Sequence, residues 1–174
     1  MTLLEKPSKE LPRAIILDSN NPLIRGRLKE LKIIPVNKEK STLIFTGYSI
    51  VKSHVVKFND WEGNLYFDGS EIKYFEGKIK SNSVSTGIEM LDNHLKNNDF
   101  FDIEKFPEIL FSGFVAKDDM KGGLNFRGIL KEISFPVKLD SKSISSEFYL
   151  DITPFKIKYI GVNKEIKVKF EIYI

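Results

Sequence analysis

From Ile33 to the C-terminus, apolar and polar residues alternate. Leu43 and Phe45 are set against Thr42, Ile44 and Thr46, and Leu65 and Phe67 against Asn64 and Tyr66. The same period of two runs through Ile109, Phe111, Gly113 and Val115, through Leu124, Phe126, Gly128 and Leu130, and through Ile133, Phe135, Val137 and Leu139. It returns in Phe148, Leu150 and Ile152, and ends the chain in Ile166, Val168, Phe170, Ile172 and Ile174 against Lys167, Lys169, Glu171 and Tyr173. Successive side chains of a strand point to opposite faces, so the pattern predicts seven or eight strands, each with a dry and a wet face. Asp68-Gly69, Lys121 to Gly123 and Gly161 to Lys164 supply turn residues for an antiparallel meander. That many half-buried strands need a second sheet, or closure into a barrel, to cover the dry faces and remove edges.

Two segments leave the rhythm. Ile88, Leu91 and Leu95 recur at helical spacing after Gly87 and before Asn97 and Asn98, which predicts a short helix from about Ile88 to Asn97. Near the start, Asn20 and Asn21 precede Pro22, and Leu23, Ile24, Leu28 and Leu31 share one helical face, so a second short helix is expected there. The chain thus divides into an N-terminal extension, residues 1–31, and an all-β domain, residues 32–174.

A chain of 174 residues can bury one sizeable core, and its 14 Phe weight that core toward strands. Twenty-seven Lys and Arg are interspersed with 24 Asp and Glu, so no basic patch argues for nucleic acid. Without cysteine there are no disulfides, thiolate metal sites or cysteine nucleophiles. No stretch reaches the about 20 apolar residues of a membrane span, and Pro7 and Pro12 interrupt the opening residues where a signal peptide would need an apolar run. No Gly-x-Ser-x-Gly elbow, Walker loop or Gly-x-Gly-x-x-Gly occurs.

Candidate chemistry gathers in LDNHLKNNDFFDIEKFP, Leu91 to Pro107, which holds one of the two histidines, two adjacent phenylalanines and several acids. Asp92 and His94 stand two apart on the expected helix and point about 200° apart by its 3.6-residue period, which argues against chelation of one ion. The alternative is that Asp92, Asp99, Asp102 and Glu104 solvate a surface corner while His94 bonds nearby backbone. Phe100 and Phe101, as neighbours in an extended segment, would point opposite ways, one into the core and the other capping the end of the barrel or lining a ligand entrance.

Asp92 to Gly113, DNHLKNNDFFDIEKFPEILFSG, resembles the hallmark segment of the YceI-like domains, the polyisoprenoid- or lipid-binding proteins. His94, Leu95, Phe100, Phe101, Phe106, Pro107 and Phe111 follow that family's order and spacing. STLIFTG (Ser41 to Gly47) with KSH (Lys52 to His54), NLYFDG (Asn64 to Gly69) and LNFRGILKEISFPVKLD (Leu124 to Asp140) extend the likeness over about residues 32–174. In DITPFKIKY (Asp151 to Tyr159), Ile152 stands where relatives tend to have Arg, and Lys156 where they have Gly.

The resemblance implies an eight-stranded antiparallel lipocalin-like barrel, capped at one end by a short helix, around an elongated apolar tunnel. It implies a carrier of a long-chain isoprenoid or fatty-acyl lipid, in transport or stress, with no enzymatic activity, cofactor or metal, and with a homodimer left open. The candidate ligand-binding residues are Leu43, Phe45, Leu65, Phe67, His94, Phe100, Phe101, Phe111, Phe126, Phe148, Leu150 and Phe170, with room for the chain expected at Gly113 and Gly128. As written the chain is expected in the cytoplasm, or in the periplasm if a leader has been removed, since most relatives are exported. The alternatives are a fully packed barrel that docks a partner at the Phe100/Phe101 corner, and an enzyme centred on His94.

Overall fold

The computed structural model describes residues 31–49, 52–157 and 163–174; the helix expected before Leu31 and the first half of the Gly161 to Lys164 turn lie outside them. Twelve strands and one α-helix are found among these residues. In chain order they are β1 (Lys32–Pro35), β2 (Thr42–Tyr48), β3 (Ser53–Phe58), β4 (Trp61–Asp68), β5 (Glu71–Lys80), β6 (Val84–Ser85), α1 (Glu89–Lys96), β7 (Glu108–Ala116), β8 (Asp119–Phe126), β9 (Ile129–Pro136), β10 (Lys138–Asp140), β11 (Ser143–Asp151) and β12 (Glu165–Tyr173). They pair antiparallel in two six-stranded sheets, ordered β1-β4-β5-β7-β8-β9 and β10-β11-β12-β2-β3-β6. The eight-strand expectation therefore undercounts: β1, β6 and β10 are two to four residues long and too short to show a period, and the expectation leaves out β3 and β5.

Turn chemistry explains where the strand readings shift. Asp68-Gly69 closes the β4–β5 hairpin as expected, with Gly69 at φ 62°. Residues 124–130, expected as one strand, are broken between β8 and β9, because Arg127 and Gly128 both take positive φ (53° and 69°) in a two-residue hairpin loop. Lys121 to Gly123, expected as a turn, lies inside β8 and pairs on both sides. Here glycine serves close approach: Gly122 stands opposite Gly113, and a Cβ on it would come within 2.1 Å of the Ser112 carbonyl oxygen. The expected strand through Val137 divides there, β9 staying in the first sheet and β10 joining the second.

The dry faces meet between the sheets. Leu65, Phe67, Ile72, Met120 and Phe135 of the first sheet pack with Ile144, Val168, Phe170 and Ile172 of the second. The alternation fails on the outer side of β4 and β5, where Tyr66 and Tyr74 are buried with Leu31, flanked by Ile33 and Phe114. There the Tyr66 hydroxyl and the Asn64 amide both donate to Glu76 Oε1 at 2.9 Å, so that buried carboxylate sits among donors.

Gly122→Ala is expected to destabilise the protein by about 3 kcal/mol through forced separation of β7 and β8, read as a lower urea midpoint; an unchanged midpoint would show that the strands yield without cost.

Candidate functional site

The inter-sheet space is filled unevenly. Leu65 (0% exposed) and Phe67 (4%) are packed against Ile72, Met120 and Ile144, closing one part of it. Elsewhere a cavity of about 300 Å³ remains, walled by both sheets and by the α1 segment. Its size falls at the lower bound of ordinary ligand sites, about 300–1,000 Å³.

Of the expected ligand-binding residues, Leu43, Phe45, His94, Phe100, Phe101, Phe111, Phe126, Phe148, Leu150 and Phe170 line this one cavity. Leu65 and Phe67 do not: they share its strand parity but fall where the two sheets already touch. The glycines expected to leave room also differ. Around Gly113 the space holds Met120 and Phe111, and Gly128 is a turn residue against the Phe106 ring. Gly47 takes that role, since it lines the cavity and a Cβ built on it meets nothing within 4 Å.

Sequence reasoning missed Val56 and Phe58 on β3, Trp61 on β4, and Phe75 and Ile79 on β5, all of which face the cavity. Val56–Phe58 and Phe75–Gly77–Ile79 carry the same period of two; on β5 a register shift opposite Tyr66 and Phe67 changes the parity partway and masks it.

The lid is built by α1 and its exit. Leu91, His94 and Leu95 project from α1 onto the cavity, while Asp92 turns away, its Oδ1 accepting from the Thr86 amide at 2.7 Å and the Thr86 hydroxyl at 2.6 Å. Asp92 and His94 are therefore not joint ligands, as the helical period required. After α1 the chain coils instead of extending: the Phe101 and Asp102 amides return to the Leu95 and Asn97 carbonyls, each at 2.9 Å, and Asp102 takes φ 47°. Coiling removes the strand alternation, so both Phe100 and Phe101 reach the cavity, with centroids 6.4 Å apart. Phe101 then links Phe58 (5.5 Å) to Phe126 (5.7 Å), and Phe126 meets Phe155 (5.2 Å). His94 stands edge-on to Phe100 at 5.9 Å.

Arg127 ties these pieces together. Its Nε donates to the Phe155 carbonyl at 3.0 Å, and its Nη1 to the carbonyls of Asn98 (3.1 Å) and Phe100. One guanidinium thus joins the lid's exit, the β8–β9 turn and the 3-10 turn at Thr153–Phe155. The last of these turns explains the two departures noted in DITPFKIKY. Ile152 is buried and lines the cavity, and Lys156 holds φ 57°, a conformation glycine adopts without strain. Asp151 shapes the turn by accepting from the Thr153 amide (2.9 Å) and hydroxyl (2.6 Å), and those bonds hold its carboxyl below the ordinary range.

Polar groups on the lining are few: Tyr48, Ser49, His54, Glu62, Lys78 and His94. Lys78 is occupied, lying 3.1 Å from Glu62 and 3.7 Å from Glu108, and the hydrogen bond with Glu62 raises its pKa above that of an ordinary lysine. The arrangement can hold an apolar chain by burial and offers a polar end only sparse hydrogen bonding.

Comparison with known proteins agrees with this geometry. Residues 35–174 match the model of the YceI-like domain. A UPF0312 protein of Pseudomonas savastanoi pv. phaseolicola is 30% identical over 95 residues, covering 50% of this chain and 48% of that protein, so the chain spans about half the length of the curated relatives it matches. Among solved structures, Burkholderia cenocepacia BcnA superposes with a TM-score of 0.70 at 16% identity, covering 80% of this chain and 99% of that one. A polyisoprenoid binding domain from Saccharophagus degradans superposes with a TM-score of 0.65 at 14% identity, covering 82% and 97%. These two likenesses show the fold.

Arg127→Ala removes bonds from two segments at once, and charge-assisted hydrogen bonds contribute about 1.5–3 kcal/mol each. Faster amide exchange at Phe101 and Asp102 and a lower urea midpoint are expected; unchanged exchange there would mean that the lid holds itself.

Proposed function

The chain belongs to the YceI-like domain family, and on that premise we propose that it is a non-enzymatic carrier that holds one long isoprenoid or fatty-acyl chain between its two sheets. The observation that carries this reading is the apolar cavity shared by both sheets and the lid, in which ten of the candidate residues converge. Apolar binding groups are characteristic of such sites, with a few polar groups to orient the ligand. Each methylene removed from water contributes about 0.8 kcal/mol, so a chain needs little else to bind. The neighbour from Saccharophagus degradans, a polyisoprenoid binding domain, supports the ligand class.

The lining also speaks to the head group. Its only lysine is engaged by two carboxylates, and no arginine faces the cavity among the described residues. A free carboxylate or phosphate would have to compete with Glu62 and Glu108 for Lys78, so the proposed ligand ends in an uncharged polar group within reach of Tyr48, Ser49, His54 or His94. A packed barrel serving only as an interaction module fits less well, because its interior would be filled.

Solvent extraction of the purified protein followed by mass spectrometry is expected to recover a long apolar ligand, and a pyrene-labelled hexadecanoyl probe is expected to bind. Gly47→Phe fills the open position on β2 and should weaken probe binding about tenfold, equivalent to about 1.4 kcal/mol, without lowering the urea midpoint. Undiminished binding would place the ligand elsewhere, and no ligand with no probe uptake would end the carrier reading.

A further inference from the structure

The β10–β11 hairpin begins to zip and then stops. Lys138, Leu139 and Asp140 pair with Ser145, Ile144 and Ser143. Carried on past Lys138, that register sets Phe135 opposite Phe148, Ser134 opposite Tyr149, Ile133 opposite Leu150 and Glu132 opposite Asp151. The side chains obey it: the Phe135 and Phe148 rings stack in parallel, with centroids 4.1 Å apart and planes within 4°. The backbones do not: among the described residues β9 pairs only with β8, and β11 only with β10 and β12.

Two local causes are visible. In a strand, a residue's N–H and C=O point to the same side. The Pro136 carbonyl accepts from the Ser146 hydroxyl, so that side of Pro136 faces β11. Proline supplies no N–H there, and its carbonyl is already taken by a side chain. Farther along, Glu132 and Asp151 are like charges at opposed positions, which disfavours pairing. Asp151 stays ionised because of its Thr153 hydrogen bonds.

Below Pro136 the parted strands leave a cleft of about 270 Å³ on the outside of the molecule, floored by Ile133, Phe148 and Leu150. The same three side chains line the interior cavity. Ile133, Phe148 and Leu150 therefore border both the ligand space and the outer cleft, and among the described residues no ladder joins β9 to β11 behind them.

We propose that this seam between β9 and β11 is a lateral port through which the apolar chain enters and leaves, with Phe148 as its gate. The proposal rests on the reading of the cavity as a lipid site and adds the route. Swinging the Phe148 ring off Phe135 joins cleft and cavity without breaking any strand pairing.

The absence of cysteine makes a staple unambiguous: Ser134→Cys with Tyr149→Cys places one thiol on each side of the seam. Stopped-flow uptake of the pyrene-labelled hexadecanoyl probe is expected to slow at least tenfold in the oxidised protein and to recover on reduction. As a second variant that needs no disulfide, Pro136→Val with Glu132→Thr restores the missing donor and removes the charge conflict. It should slow uptake similarly and protect the Ser134 amide from exchange. Wild-type rates in the oxidised staple, or in the re-zipped variant once Ser134 is protected, overturn the port while leaving the carrier reading intact. A wild-type protein that takes up no probe fails the carrier reading and the port with it.

Discussion

Uneven filling of the space between two sheets governs this structure. Where Leu65, Phe67, Ile72, Met120 and Ile144 meet, side chains from both sheets touch and the interior is a conventional close-packed core. Toward α1 the inward positions are occupied by Gly47 and by rings set against one another at 5–6 Å, and a cavity remains. The filled part provides much of the apolar burial that stabilises the fold. The hollow part forgoes some of that stabilisation, as an unfilled volume must when its wall atoms lack partners.

A hollow end needs a lid that does not collapse into it, and the backbone around the lid shows how this is arranged. Asp102, Lys117, Arg127 and Lys156 are the non-glycine residues with positive φ among the described residues, and three of them flank the lid. L-residues adopt this region at a cost of about 1–2 kcal/mol each, so the surroundings must fix them. At Arg127 the positive φ belongs to the turn that presents its guanidinium to the Asn98, Phe100 and Phe155 carbonyls. At Asp102 it lets the chain coil back under α1 so that both Phe rings face inward.

Much of this was legible from residue order alone. The period of two marks β2, β4, β7, β11 and β12 because each holds one face against the core, and α1 is bounded as its spacing indicates, from Glu89 to Lys96. Readings failed where backbone conformation outweighs side-chain pattern. Arg127-Gly128 turns the chain inside what looked like one strand, while the glycines of Lys121 to Gly123 look like a turn yet serve close strand approach. Tyr66 reads as a wet-face residue but is fully buried, since alternation shows which face a residue is on and not what covers that face. Parity likewise could not separate Leu43 and Phe45, which line the cavity, from Leu65 and Phe67, which pack beneath it: that depends on position along the strand relative to the filled end.

The two ways into the cavity differ in what must be broken. Lifting the lid means parting Arg127 from the Asn98 and Phe100 carbonyls, at about 1.5–3 kcal/mol for each charge-assisted bond, and withdrawing the buried Phe100 ring and the half-buried Phe101 ring, the latter set against Phe58 and Phe126, at up to about 1.5–3 kcal/mol for each ring exposed. Opening the β9–β11 seam disrupts the Phe135–Phe148 stack, about 0.5–1.5 kcal/mol beyond the area it buries, and exposes one half-buried ring, Phe148, at up to about 1.5–3 kcal/mol, while every strand ladder stays in place. On these magnitudes the seam yields first. The lid, tied through Arg127 to the β8–β9 turn, then acts as the fixed end of the cavity, and the mobile element is the Phe148 side chain at the seam that Pro136 keeps from being sealed by backbone.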